Sequence, residues 1–314
     1  MPRALFLLFS VLCLLSLFLG AQQLQWSDLL NFSSDTWLTL TASRLPRLFA
    51  IILTGIGLAV CGVILQHIVR NRFVEAGTTG GLDAAKLGIL VALTVLPNAN
   101  MISKMLFALI FCFIASLIFI AIVRRIQFRN SLLIPVIGLM YGSILAALAE
   151  FYAYQNNMLQ SMQGWLLGDF SRVVQGHYEL MYIIVPMVIL SYVFAQRFTV
   201  LGMGADTASS LGLNYNAMAA IGLLIVATTV SASVITVGAI PFVGLVVPNL
   251  VALKYGENLK KTLPIVAFGG ASLLLLCDII GRFILYPFEV PIALTAGGVG
   301  GLLFLILIFK RMRT

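Results

Sequence analysis

Apolar stretches of about 20 residues return repeatedly along this chain, and that is the length an α-helix needs to cross a hydrocarbon core of about 30 Å. The runs lie near Ala4–Gly20, Pro46–Val69, Leu82–Leu96, Met105–Val123, Leu132–Tyr154, Glu179–Ala195, Ala217–Val237, Ile240–Leu253, Leu263–Phe283 and Val290–Phe309. Backbone polar groups in lipid must pair within their own segment or in a closed barrel, and these runs lack the period-2 alternation of barrel strands. The expected fold is all-α, one transmembrane domain over residues 1–314 with about ten transmembrane helices. Composition excludes an ordinary soluble enzyme: 61% of residues are hydrophobic and 10% charged, against roughly 25% charged in soluble domains. Arg3 and the run behind it resemble a signal peptide, but the cleavage signal at Gly20-Ala21 is poor, so a retained first helix is expected. The third and eighth runs are short, as in segments that line a pathway.

An even number of spans puts both termini on one side, and loop charge selects that side. With a cytoplasmic N-terminus the inner segments carry thirteen basic residues: Arg3, Arg70, Arg72, Arg124, Arg125, Arg129, Arg197, Lys254, Lys260, Lys261, Lys310, Arg311 and Arg313. The outer segments carry five, namely Arg44, Arg47, Lys104, Arg172 and Arg282, while Lys86 sits too near a span boundary to assign. This asymmetry accounts for the net charge of +8 without invoking nucleic acid. Cys13, Cys61, Cys112 and Cys277 stand singly inside apolar runs, and His67 and His177 are isolated, so neither a disulfide framework nor a metal site is expected.

In so apolar a chain the polar residues are conspicuous. Arg44-Leu45-Pro46-Arg47 opens the second span, with Pro46 suited to a first helical turn. Asp278 and Arg282 are four apart, a helical ion-pair spacing. The outer arginines suit either headgroup anchoring or a forked grip on the carboxylates of an outside partner. The inner segment 201–214 is too polar to span; its glycines and Asp206, a candidate N-cap, fit one or two short helices. That segment suits either protein contact or a plain connector. Asp83 and Lys86, three apart, suit either a local pair or a pathway, and Glu150 is expected to face protein or water because lipid penalises its charge. Pro241, Gly244 and Pro248 should break or kink the eighth run, and Gly297 and Gly301 form a small-x-x-x-small packing pattern in the last. No phosphate-loop spacing occurs anywhere.

These segments resemble the FecCD-type permeases, the membrane subunits of ABC importers for iron–siderophores, haem and cobalamin. The resemblance rests on Arg44-Leu45-Pro46-Arg47, Gly62-x-x-x-Gln66 with Arg70-Asn71 following, Gly238 to Asn249, Asp278 to Arg282 and the ten-span pattern. It implies a permease that works as a pair in the bacterial cytoplasmic membrane, as homodimer or heterodimer, with two ATPase subunits inside. A periplasmic or lipid-anchored substrate-binding protein would sit outside, docked at Arg44, Arg47 and Arg282. The coupling segment that seats on the ATPase would use Leu201, Gly204, Asp206, Ser209, Leu211 and Gly212. Asp83, Lys86 and Glu150 become candidates for the translocation pathway. No cofactor is implied for this chain; ATP and Mg belong to the partner ATPase. Many family members read Asn-Pro-Leu-Ala where this chain has Asn71-Arg72-Phe73-Val74-Glu75, and the usual Pro-His is Pro248-Asn249 here. With Gly77-Thr78-Thr79-Gly80 and Asp83-Ala84-Ala85-Lys86 these look most like the branch that imports ferric catecholate-type siderophores.

One alternative lies within the resembled family and another competes on the residues alone. A haem or cobalamin permease would share the machinery, and an ion-coupled secondary transporter could also use Glu150, Lys86 and broken helices. An intramembrane enzyme is disfavoured because no paired-carboxylate, Ser-Lys or metal-ligand set is present.

Overall fold

A computed structural model describes residues 3–19, 34–96, 98–126, 133–285 and 288–312, so Arg129 and Arg313 of the charge pattern lie outside the described residues. A helix stands at each of the ten apolar runs. Helix α1 is Arg3–Phe18, α2 Leu45–Val69, α3 Gly81–Val95, α4 Met101–Ile126 and α5 Leu133–Gln155. A short α6, Leu159–Leu166, follows; then the 3-10 turn Glu179–Ile183 leads into α7, Ile184–Val193. Helices α8 (Ala195–Gly202) and α9 (Ala205–Ser210) precede α10 (Tyr215–Val237), α11 (Val243–Tyr255), α12 (Leu259–Ile284) and α13 (Ile292–Met312). Six described helices are long and apolar enough to cross a bilayer, or seven when Glu179–Val193 and Ala195–Gly202, bent by 63°, form one span. Helices α1 and α11 are shorter apolar helices. Among the described residues there is no strand, only isolated bridges such as Leu167 with Ala239.

The centre of the bundle is α2, which packs against α10, α11 and α12. Against α11 and α12 the approach is close because glycine faces glycine, whereas against α10 Gly57 admits the Thr229 methyl and Gly222 the Ile64 and Ile68 side chains. A Cβ added to Gly62 would lie 1.9 Å from the Gly244 carbonyl oxygen, and one added to Gly270 would lie 2.2 Å from that of Gly55. Lipid supplies no hydrophobic drive between helices, so backbone approach of this kind is what membrane bundles use. One apolar core runs from Leu12 to Ala296 and joins the helices. By contrast the apolar windows of α5 and α13 are only 17% and 22% buried, and they present Leu139, Ile144, Leu302 and Phe309 outward.

Proline explains where two elements depart from expectation. The helix at Pro46 begins earlier than its first-turn reading implied: Ser34–Thr39 and a π turn at Leu40–Arg44 run continuously into α2. Pro46 has no N–H for the Ala42 carbonyl four residues back, and that carbonyl instead accepts from the Gln175 backbone N–H at 3.0 Å. In the eighth run the break falls at Gly238–Phe242, ahead of α11, whose start moves from Ile240 to Val243. Pro241 lies in that break; Pro248 stays inside α11 and deprives the Gly244 carbonyl of its donor. Gln66 Nε2 fills that role at 3.2 Å, which gives Gly62-x-x-x-Gln66 a structural reason. The sixth run bends into α8, and α6 forms with no apolar run of its own to signal it.

Candidate functional site

At one end of α2 two of the guanidiniums expected on the outer face, those of Arg47 and Arg282, form a single ionic cluster. Arg47 Nη2 donates to Asp278 Oδ1 at 2.7 Å and Nη1 to Glu289 Oε2 at 2.6 Å, while Arg282 Nη2 lies 2.5 Å from Asp278 Oδ2. The i,i+4 pair of Asp278 and Arg282 thus forms as its spacing implied. Arg282 Nη1 also donates to the Ser16 carbonyl at 3.0 Å and to that of Leu19, and Arg44 Nη1 to the carbonyls of Leu17 and Phe18. Two arginines therefore cap the C-terminal end of α1, where the helix dipole favours cations. The side chains of Arg47 and Arg282 are only 15% and 9% exposed, and that of Asp278 is 2% exposed. Free headgroup anchoring does not describe Arg47 and Arg282: a buried Asp278 carboxylate requires paired charge. Glu289 went unnoticed in the sequence. Its signal was a lone acid between the last two apolar runs, but only the fold brings it to Arg47, 242 residues away.

The segment 201–214 lies at the opposite end of α2. Leu201 and Gly204 are buried, so they seat the segment, whereas Asp206, Ser209, Leu211 and Gly212 are exposed. Asp206 is not the N-cap: Gly204 holds that position and Asp206 stands in the first turn of α9, with no side-chain capping bond. Gly204 has φ +111° and the Arg70 guanidinium 3.0 Å from where a Cβ would be, a combination that suits only glycine. Asn214 caps α10, accepting from the Ala217 N–H. Two clefts flank the segment. One of about 780 Å³ is lined by Arg70, Arg124, Ser209 and Gly212, and the other of about 660 Å³ by His67, Arg72, Met203 and Glu257. Arg72 and Glu257 pair across the second.

Lys86 Nζ donates to Asp83 Oδ1 at 2.8 Å, the local pair their spacing allowed. Glu150 does not join them. Its neighbour Ala149 is buried, but Glu150 projects from the exposed face of α5, next to Phe151, and not into the packed interior of this chain. The helix phase of α5 turns that position outward, which the sequence alone does not reveal. In the last helix the tight contact is at Gly300, where a Cβ would lie 2.5 Å from that of Phe242; Gly297 and Gly301 meet only Pro241 and Phe242 atoms at 3.8 and 3.9 Å. The small-residue stripe is thus used one position off the expected pair. Phe242, at φ +68°, donates its N–H to Glu75 Oε1 at 3.1 Å. Glu75 therefore holds the break between α10 and α11 from the segment after α2, a role no local motif announced.

The sequence pattern of the FecCD transport family matches residues 8–310. The chain is 63% identical over 304 residues to the ferric-anguibactin transport system permease protein FatD of Vibrio anguillarum, covering 97% of each protein. It is 43% identical over 309 residues to the petrobactin import system permease protein YclN of Bacillus subtilis, covering 98% of each. A solved inward-facing structure of an ABC transporter of metal-chelate type has the same fold, with a TM-score of 0.82 at 24% identity, covering 99% of this chain and 100% of that one.

Proposed function

The chain belongs to the FecCD transport family, and we propose that within it the chain is the membrane-spanning permease of an ABC importer for a ferric siderophore of catecholate type. The observation that carries this reading is end-to-end identity of 63% with a ferric-anguibactin permease. In this reading the chain is a transport subunit, not an enzyme. ATP and Mg are used by two separate ATPase subunits, a second permease chain, identical or paralogous, completes the pathway, and no cofactor is held here. The ten helices are read as ten crossings with both termini cytoplasmic, which the thirteen-to-five loop charge supports.

Division of labour follows from the two ends of α2. Arg47 and Arg282 balance Asp278 and Glu289, and Arg44, which shares the end of α1 with Arg282, adds one net positive charge, which suits a binding protein that presents carboxylates. At the other end, exposed Asp206, Ser209, Leu211 and Gly212 on the short α9 and its following turn suit a seat on the ATPase, with residues 201–214 as the coupling segment. Asp83, Lys86 and Glu150 remain candidates for contact with cargo, Glu150 from the exposed face of α5.

The test is uptake of labelled iron by iron-starved cells with and without this chain, offered as ferric catecholate, ferric hydroxamate and haem, beside labelled cobalamin. Loss confined to ferric catecholate is expected. Loss of haem or cobalamin uptake instead would overturn the cargo, and uptake that survives ATP depletion but collapses with the ion gradient would overturn the ABC mechanism.

A further inference from the structure

A cavity of about 440 Å³ lies between α3, α4, α6 and α10, closed on one side by the loop that carries His177. Its volume is within the range of small-molecule sites. The walls are apolar, with Leu93, Met162 and Trp165 prominent, yet both lysine side chains at its edge line the same space: Lys86 from α3 and Lys104 from the first turn of α4. Lys86 gives one hydrogen bond to Asp83 and keeps two further N–H donors. No hydrogen bond or ion pair is made by the Lys104 ammonium among the described residues, and none of the twelve lining residues is acidic. Lys104 also stands at a helix N-terminus, where the dipole adds to its field. The loop with His177 reaches the Arg44 end of α2, because its Gln175 N–H donates to Ala42.

We propose that this cavity binds a small amphipathic anion, with a carboxylate, phenolate or phosphate held between Lys86 and Lys104 and an apolar body against Trp165, Met162 and Leu93. Two ammoniums with a single carboxylate between them leave a positive site in an apolar wall, and an anion that carries its own apolar surface satisfies both. A purely polar anion would leave the walls unfilled, and a neutral hydrophobe would leave Lys104 unpaired. The physiological occupant rests on the importer reading: an anionic aromatic arm of the cargo. A lipid phosphate offers the same chemistry.

The test uses the full chain, co-purified with its partner subunits in phosphatidylcholine nanodiscs and titrated calorimetrically with 2,3-dihydroxybenzoate. Saturable binding is expected, weakened at least tenfold by Lys104→Met, which removes the charge, and by Leu93→Trp, which fills the cavity, and largely kept by Lys104→Arg. Assembly of each variant with the partner subunits monitors folding. Adding phosphatidylglycerol to the nanodiscs separates the sources: competition assigns the site to headgroup phosphate, and its absence assigns it to the soluble aromatic anion. Binding that neither substitution alters, or no binding of either probe, would overturn the proposal. That failure is distinguishable from failure of the importer reading, because the cavity can fail while the wild-type chain still supports ATP-dependent ferric catecholate uptake, and uptake can fail while the probe still binds.

Discussion

Asp278 holds two arginines on one carboxylate, with its side chain 2% exposed, so its removal should act on folding before it acts on docking. Breaking a buried ion pair by removing one partner costs about 3–5 kcal/mol because the remaining charge is left unpaired. Asp278→Ala is expected to lower stability by that order, read by thermal unfolding in detergent. Glu289→Gln should cost about 1 kcal/mol or less, since that carboxylate is 26% exposed; equal losses would show that the two acids share the load. Glu75 acts on neutral groups: it accepts the Phe242 N–H inside the bundle. Glu75→Ala orphans that donor, at about 1–3 kcal/mol, whereas Glu75→Gln retains an acceptor and should cost clearly less in the same assay. Of these residues the sequence made Asp278 visible by its spacing to Arg282. Glu75 appeared there only as a departure from the family's usual Asn-Pro-Leu-Ala, without a role, because its partner is 167 residues distant.

Elements meet here through glycine. Gly62→Leu places a side chain where a Cβ alone already lies 1.9 Å from the Gly244 carbonyl oxygen, so α2 and α11 must separate. The expected outcome is failure of the chain to accumulate in the membrane, checked by immunoblot beside Gly298→Ala, which meets nothing within 4 Å and should accumulate normally. The α9 segment predicts a different phenotype. Gly212 is exposed at φ +76° with open space around its Cβ position, so Gly212→Val strains the turn locally by about 1–3 kcal/mol without disturbing the core. Expected is assembled complex whose ATP hydrolysis no longer tracks uptake; coupled uptake at the normal ratio would reduce the segment to a connector. Hydropathy located each long helix to within a few residues, except that the helix of α2 already runs from Ser34. It missed α6 and the bend into α8, since short amphipathic helices owe their existence to tertiary packing more than to their own composition.

For the whole molecule, the two ends of α2 should separate genetically. Arg44→Ala leaves Arg47, Asp278 and Glu289 in place, and it is expected to weaken binding-protein affinity at least tenfold in a surface-binding assay while ATPase assembly is unchanged. Unchanged affinity would confine Arg44 to capping α1. Arg47→Glu is the less informative choice, because it would set a third carboxylate against Asp278 and Glu289 and lose the fold with the docking. Among the six long apolar helices described, α5 and α13 are the least buried, as a subunit that meets lipid and a second chain requires.

The amino-acid sequence by itself determined the class, helices in a bilayer and their positions, because run length is a local quantity that lipid reads directly, and its ordered motifs carried the family resemblance. Tertiary structure alone decided which polar groups meet. Glu289 reaches Arg47, Glu75 reaches Phe242 and Gln66 takes the carbonyl that Pro248 abandons, while Glu150 stands on the exposed face of α5. These pairings depend on helix phase and on glycine-to-glycine approach between segments far apart in the chain. Neither leaves a local periodic trace, because an unpaired backbone or charged group buried in a membrane protein finds its partner wherever the packed neighbours bring one.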